Sequence, residues 1–302
     1  MSDLEVLGRV EYGANSVPAF NIGDAVVDGS VYKAGISPLV LIPKPKRGTS
    51  FAHQTFSVEL AGSGVVATPP RDADLFMAMG LDETIAAGVS ATYAVTGLLA
   101  DLVTGLVPVH IDLYKGNAFK CACNDAVGTF NMTIRPGEAV EMAYAFDGRY
   151  EAPTEAAGAA AAATSADPVV AAGLTATVNT KTLIYKEISI ALNATNNSPN
   201  LDVASANAVA APKVVNQAPT FSFTAQRPPF SDLNFHALAL TNTKISLIVV
   251  LGATPGNICT ITVDGYMNAV PQESFINGTD MVTISCDMSW IAADTQLQLV
   301  YT

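Results

Sequence analysis

The strongest constraint on how this chain folds is that it contains one stretch twice. PPRDADLFMAMGL, Pro69 to Leu81, lies without a gap over PPFSDLNFHALAL, Pro228 to Leu240. The two share both prolines, Phe76 with Phe235, Ala78 with Ala237 and Leu81 with Leu240. Just upstream, Thr55-Phe56-Ser57-Val58 matches Thr220-Phe221-Ser222-Phe223, the first copy carrying the extra residues GSGVVA before its prolines. A recurring segment of this kind marks a repeated architectural unit, so the fold has to be assembled from two similar halves.

The local pattern predicts what each half is made of. Short runs rich in Val, Ile and Thr, punctuated by turn pairs such as Asp28-Gly29, Asp147-Gly148 and Asp264-Gly265, predict antiparallel β-structure. Helix is scarce. Its clearest candidate is Arg71 to Leu81, where Pro69-Pro70 supplies a start and Leu75, Ala78 and Met79 share a face. A strand at His110 to Tyr114 corresponds to one at Lys244 to Val249. TIRPGEAVEMAYAF, Thr133 to Phe146, lies over FINGTDMVTISCDM, Phe275 to Met288, with Ile134 on Ile276, Glu138 on Asp280 and Val140 on Val282. The order strand, strand, helix, strand, strand therefore occurs twice.

Between the halves runs EAPTEAAGAAAAATSADP, Glu151 to Pro168. Alanine favours helix, but the run has no apolar face or cap partner and reads as a linker or surface segment. The expected division is residues 1–152, a linker over 153–168, and residues 169–302. Each half also carries a long polar interruption before its TFS strand, Lys33 to Gln54 and Asn193 to Pro219. Loops this long are usually functional or disordered. Their equivalent placement favours contact arms, with Lys44, Lys46 and Arg47 as the basic cluster of the first and Lys213 as the lone base of the second.

Hydrophobic residues make up 50% of the chain and charged residues only 14%, against about 25% charged in an ordinary soluble domain. Either much surface is buried against partners or the chain is membranous. No stretch approaches the roughly 20 consecutive apolar residues of a spanning helix, and Ile245 to Leu251 is strand length. The N-terminal MSDLEVLGRVEYG has early acids and no apolar core of signal-peptide type, so synthesis and assembly in the cytoplasm are expected. The net charge of −12 argues against a conventional nucleic-acid binder, which needs Lys and Arg to displace counterions from phosphates. It leaves room for a surface that faces DNA without holding it.

Enzymatic constellations are not found. His53, His110 and His236 lack metal-site spacing, and His236, inside the apolar helix match, reads as packed or at an interface. Gly62-Ser63-Gly64 is neither a nucleophile elbow nor a phosphate loop. Asp72 and Asp74 fall at the predicted helix start, where acids complement the dipole and cap free amides. Asn277-Gly278-Thr279 reads as a turn. Four cysteines make no disulfide framework. Cys121 and Cys123, two apart on one strand face, read as packed thiols, with a two-thiol metal site as the alternative. No cofactor is implied.

Three stretches carry a family likeness: TFSVELAGSG, the helix entry PPRDADLFMAMG, and the run from Tyr114 through CNDAVGTFNMTIRPGEAVEMAYAFDGRYEAP. Together they make the chain resemble the major tail-tube proteins of long-tailed bacteriophages, well over Pro18 to Pro153 and, in the second half, mainly through the internal repeat. The resemblance implies a mainly β fold of two tandem β-sandwich or barrel domains, each with one flanking α-helix. In that family six such domains close a ring whose inner sheets wall a channel. A duplicated chain would reach six domains with three copies, the alternative being a ring of six chains. The family's ring-stacking loop falls where the two arms lie here. Tape-measure, tail-terminator and baseplate proteins are the implied partners, double-stranded DNA passes through without specific binding, and no membrane is involved.

An acidic channel wall repels phosphate and leaves DNA free to slide, over a screening length of about 8 Å. Glu59, Asp112, Glu138, Glu141, Glu187 and Asp280, on or beside predicted strands, are the candidates for that wall. A solvated face or an inter-subunit salt bridge is the alternative for each. The competing readings of the whole chain are another β-rich ring-forming virion or baseplate component and an enzyme of unrecognised type.

Overall fold

The computed structural model describes residues 8–13, 15–23, 26–28, 31–32, 46–47, 51–95, 106–115, 119–155, 168–171, 175–201, 204, 210–288 and 296–302. They form a mainly β, antiparallel structure with two short helices. The first half contains β1 (Gly8–Tyr12), β2 (Asn15–Ala19), β3 (Val26–Asp28), β4 (Val31–Tyr32), β5 (Lys46–Arg47), β6 (Phe51–Glu59), α1 (Ala73–Ala78), β7 (Leu81–Ala86), β8 (Ser90–Val95), β9 (Val109–Lys115), β10 (Phe119–Ile134), β11 (Glu141–Tyr150) and β12 (Thr154–Glu155). The second contains β13 (Thr175–Val178), β14 (Lys181–Thr182), β15 (Tyr185–Ala191), β16 (Ala194–Asn196), β17 (Val214–Gln217), β18 (Thr220–Gln226), α2 (Phe235–Leu240), β19 (Ile245–Leu251), β20 (Cys259–Met267), β21 (Gln272–Ile276), β22 (Thr279–Met288) and β23 (Leu297–Tyr301).

Strand neighbours follow the same order in both halves. In the first, β1 pairs with β9, β9 with β10, β10 with β11 and β11 with β6. In the second, β13 pairs with β19, β19 with β20, β20 with β22 and β22 with β18. Register agrees as well. Phe56 lies opposite Tyr144 and Val58 opposite Met142, while Phe221 lies opposite Cys286 and Phe223 opposite Ile284. All eight side chains are buried, because alternate residues of a strand face one side and these strands place apolar side chains at that period. The first-half sheet curls until its ends meet through the Phe20–Ser57 bridge, with N–H to carbonyl distances of 3.0 and 2.8 Å, the Gly23 N–H to Thr55 carbonyl bond at 2.9 Å, and the pairing of β3 with Phe51 to His53 of β6. It is rolled rather than closed by a continuous ladder.

Two glycines hold equivalent places in this scheme, Gly128 opposite Phe146 and Gly265 opposite Met288. A Cβ on Gly128 would sit 2.3 Å from the Ala145 carbonyl oxygen and 2.7 Å from the Phe146 ring. On Gly265 it would sit 2.4 Å from the Asp287 carbonyl oxygen and 2.7 Å from the Phe221 ring. Neither backbone oxygen can retreat without breaking its ladder, so both positions exclude a side chain.

The halves are not separate beads. The last residues of β10, Asn131 to Ile134, pair with Ala191 to Ile188 of β15, and β8 pairs with β23. Buried apolar residues from both halves make one cluster. Most of the alanine-rich run, 156–167, lies outside the described residues, but its flanks are anchored to the first half. Thr154 and Glu155 pair with Lys120 and Phe119, and Val169 donates its N–H to the Leu60 carbonyl at 2.8 Å.

Two sequence expectations change in detail. The helix expected over Arg71 to Leu81 is shorter, and Leu75, Ala78 and Met79 are all fully buried as the shared face predicted. Asp72 immediately precedes α1 but its carboxylate bonds no helix amide. It turns inward instead, accepting from the Tyr12 hydroxyl at 2.5 Å, Arg71 Nε at 3.1 Å and the Tyr144 hydroxyl at 3.4 Å. Burial, and then the facing carboxylate, pushes both phenols well above their ordinary pKa. The second half replaces this buried cluster by an ordinary cap, Asn234 Oδ1 accepting from the Ala237 N–H at 3.1 Å.

The other change concerns the last hairpin. With Val140 and Val282 equivalent, Ile134 stands across from Val140 by extension of the β10–β11 register, whereas Glu273 stands across from Val282. The first hairpin turns through Arg135 to Ala139, the second through Asn277-Gly278 with φ of 49° and 81°, the left-handed pair of a tight hairpin turn. Ile276 therefore does not occupy the place of Ile134.

Two predictions follow from the packing. Gly128→Ala and Gly265→Ala should each destabilise the chain by about 1–3 kcal/mol, as overpacking does, in urea unfolding followed by circular dichroism. Asp72→Ala, which strands a buried guanidinium and two phenols, should lower stability by about 3–5 kcal/mol, while Asp74→Ala should leave the midpoint nearly unchanged.

Candidate assembly surfaces

The strand β10 carries one sheet face across both halves, and its cross-strand rows can be read residue by residue. One row runs Glu59, Glu141, Thr133, Ser189, Ser222, Ser285. The next runs Ser57, Ala143, Asn131, Ala191, Thr220, Asp287. These side chains are opposite in parity to the core residues Met142, Met132, Ile190, Phe221 and Cys286. Apart from Ser57, which is buried at the edge of the second row, the face is thus a field of small polar and methyl groups with acids and no lysine or arginine in either row. Its hydroxyls and amides bond along the surface, Ser189 Oγ to Asn131 Oδ1 at 3.1 Å and Thr224 Oγ1 with Thr283 Oγ1 at 2.9 Å.

Three of the six acids singled out from the sequence gather on or beside this face. Glu59 and Glu141 are cross-strand neighbours, with Asn21 Nδ2 donating to Glu141 Oε1 at 3.2 Å. Glu187 lies just past the row on β15 and accepts from Arg135 Nε at 2.9 Å. Glu138 is in the β10–β11 turn, 3.9 Å from the same arginine. Asp280 is the second residue of β22 and pairs with Arg227 at 3.1 Å. Asp112 is elsewhere, on β9. It is 8% exposed, 2.5 Å from Lys120 Nζ and 2.9 Å from His110 Nε2. Its charge is already balanced locally.

Of the arm candidates, Lys44 lies outside the described residues. Lys46 and Arg47 form β5 against Tyr32 and Val31, and only their backbone is described. Lys213 is exposed, with its N–H donated to Asn197 Oδ1 at 2.7 Å and its carbonyl accepting from Asn197 N–H at 3.1 Å. The second arm contains a residue that sequence reasoning missed. Gln217, 1% exposed on β17, crosses between the halves and donates from Nε2 to the Met79 and Gly80 carbonyls at 2.7 and 3.3 Å. It satisfies carbonyls at the end of α1 that the helix cannot. A glutamine in a polar loop carries no sequence signal for such a role.

Each histidine meets a carboxylate that its sequence spacing did not reveal. His53 Nδ1 is 2.7 Å from Asp147, His110 Nε2 is 2.9 Å from Asp112, and His236 Nε2 is 3.2 Å from Glu273. His236 is half-exposed on α2 rather than packed. None of the pairs is joined by a third ligand, and among the described residues no group of three or more His, Cys, Asp or Glu is placed to hold a metal. Among these residues, too, no helix is long and apolar enough to cross a membrane. All four cysteines are buried and none forms a disulfide. Burial pushes the Cys123, Cys259 and Cys286 thiols up to about 12, with nearby Asp147 and Asp125 adding to the effect at Cys123. Protonated, enclosed thiols of this kind are apolar packing groups.

Comparison with models of known protein families finds no match, and none of the curated proteins matches the chain.

The thiol chemistry is directly checkable. Native protein at pH 8 should leave Cys123, Cys259 and Cys286 unmodified by a maleimide over a time that labels every cysteine of urea-unfolded chain, read by intact mass.

Proposed function

We propose that this chain is a structural, non-enzymatic virion protein that self-assembles into stacked rings forming the tail tube of a long-tailed bacteriophage, through which DNA is ejected. The observation that carries the reading is the shared sheet face. A wall that conducts DNA has to present a continuous surface without phosphate-binding minima, and the rows from Glu59 to Ser285 and from Ser57 to Asp287 offer acids, hydroxyls and methyl groups with no base. Counterion release by Lys and Arg, the main source of non-specific DNA affinity, is missing from those rows.

The matched pairing order of the halves supports a duplicated tube domain, two β-sandwich units each with a short helix beside it. On this reading three chains make a ring of six units with pseudo-sixfold symmetry. The two arms provide the contacts between stacked rings, and the acids Glu59 and Glu141 face the channel, with Glu187 beside them and its charge balanced by Arg135. Assembly takes place in the host cytoplasm and the product is the virion tail. Tape-measure, terminator and baseplate proteins would set its length and ends. A second reading, a β-rich ring-forming baseplate or other virion component, draws on the same pairing order. It differs in stopping at one ring.

Negative-stain microscopy of the purified chain separates these outcomes. Stacked rings or hollow tubes are expected; single rings that never stack favour the baseplate reading, and a monodisperse monomer at high concentration contradicts both.

A further inference from the structure

The two halves carry the same residue pair in equivalent turns. β9 and β10 are joined through Gly116-Asn117 and β19 and β20 through Gly256-Asn257, each pair starting three residues before the first residue of the second strand, Phe119 or Cys259. Pairing makes those two strand residues equivalent. Phe119 lies opposite Lys115 of β9 and Glu155 of β12, and Cys259 opposite Leu251 of β19 and Tyr301 of β23. Gly116 and Asn117 lie outside the described residues, and the paired flanks Lys115 and Phe119 place their turn.

The second-half turn is seated inside the chain, on the Gly62-Ser63-Gly64 loop after β6. Asn257 Oδ1 accepts from the Gly62 N–H at 2.6 Å, and the Gly256 carbonyl from the Gly64 N–H at 3.1 Å. The loop belongs to the GSGVVA stretch that only the first half carries.

The counterpart of that seat is open among the described residues. Leu60 donates its N–H to the Val140 carbonyl and Ala225 stands opposite Val282, so Arg227, two residues on, answers to Gly62. Here a groove of about 570 Å³ is lined by Gln226, Arg227, Pro228, Phe230, Thr279 and Asp280. Phe230 is 56% exposed. Arg227 pairs with Asp280 at 3.1 Å and with Glu273 at 3.6 Å, one guanidinium between two half-exposed carboxylates.

We infer that this groove is the seat of a second copy of the chain, which enters it with the turn between β9 and β10. Charge selects that occupant. Lys115 precedes Gly116-Asn117, whereas Pro255 stands in its place before Gly256-Asn257. The turn with a lysine thus meets the seat with the spare carboxylate, and the turn with a proline meets the uncharged one. The inner hydrogen bonds are not repeated, because the Arg227 N–H is given to the Asp280 carbonyl at 2.9 Å. The first-half turn is also the shorter and its seat lacks GSGVVA, so the Lys115 side chain, rather than backbone, spans the joint to Asp280. A turn of one half entering a seat of the other joins unlike surfaces, the head-to-tail contact that closes a ring or extends a filament. The inference rests on the self-assembly reading and names the surfaces that meet.

Charge reversal in the full chain tests it. Asp280→Lys and Lys115→Glu should each keep the wild-type circular dichroism and raise the concentration of half-assembly in sedimentation by about tenfold or more, as like charges across a contact do. The double variant, with opposite charges restored, should recover most of the loss. Thr279→Cys with Asn117→Cys should give covalent multimers on oxidation, and Thr279→Cys alone none. If both single reversals assemble like wild type, if the double variant is no better than they are, or if Thr279→Cys links to itself, the proposed contact is wrong and the self-assembly reading stands. A wild type that remains monomeric overturns both.

Discussion

The interaction on which this structure depends is the pairing of Asn131–Ile134 with Ile188–Ala191. It is short, but it makes one sheet out of two. Through it β10, paired along β9 and β11 in the first half, continues into β15, β18 and β22 of the second, and the small polar residues on their outer side become a single surface. Without it the rows from Glu59 to Ser285 would break in the middle.

The halves solve local problems differently. Where α1 is enclosed, its approach is held by Asp72, Tyr12, Tyr144 and Arg71, a polar cluster satisfied inside the protein. Where α2 is open, a local asparagine cap suffices and only Phe235 is buried against Phe223. Buried polar networks have to be complete to be tolerated. This one joins β1, the turn before α1 and β11, tying three separated stretches to one carboxylate.

Much of the fold was legible in the sequence because the signals were local or repeated. Period-two apolar strands and the TFS matches predicted the mainly β character, whereas the ungapped Pro69 to Leu81 match puts the two helices at equivalent residues and the structure has α1 at Ala73–Ala78 and α2 at Phe235–Leu240, three residues later in that match. What was not legible depended on distant partners or on turn geometry. Asp72 looked like a helix cap because Tyr12 and Tyr144 are far away in sequence. The β21–β22 register was missed because alignment without gaps cannot represent a five-residue turn in one half and the two-residue Asn277-Gly278 turn in the other. Glu59, Glu141 and Glu187 were found among strand acids, but their grouping, and the separation of Asp112 from them, required the pairing. The Gln217 contact left no trace in the sequence at all.

On the proposed function, two such units per chain complete a ring with three copies. Native mass spectrometry of rings separated from stacked tubes tests it most directly. The expected result is a smallest closed species containing three copies of the 31.3 kDa chain; a closed species of six copies, or a symmetric dimer that grows no further, would contradict the three-copy ring.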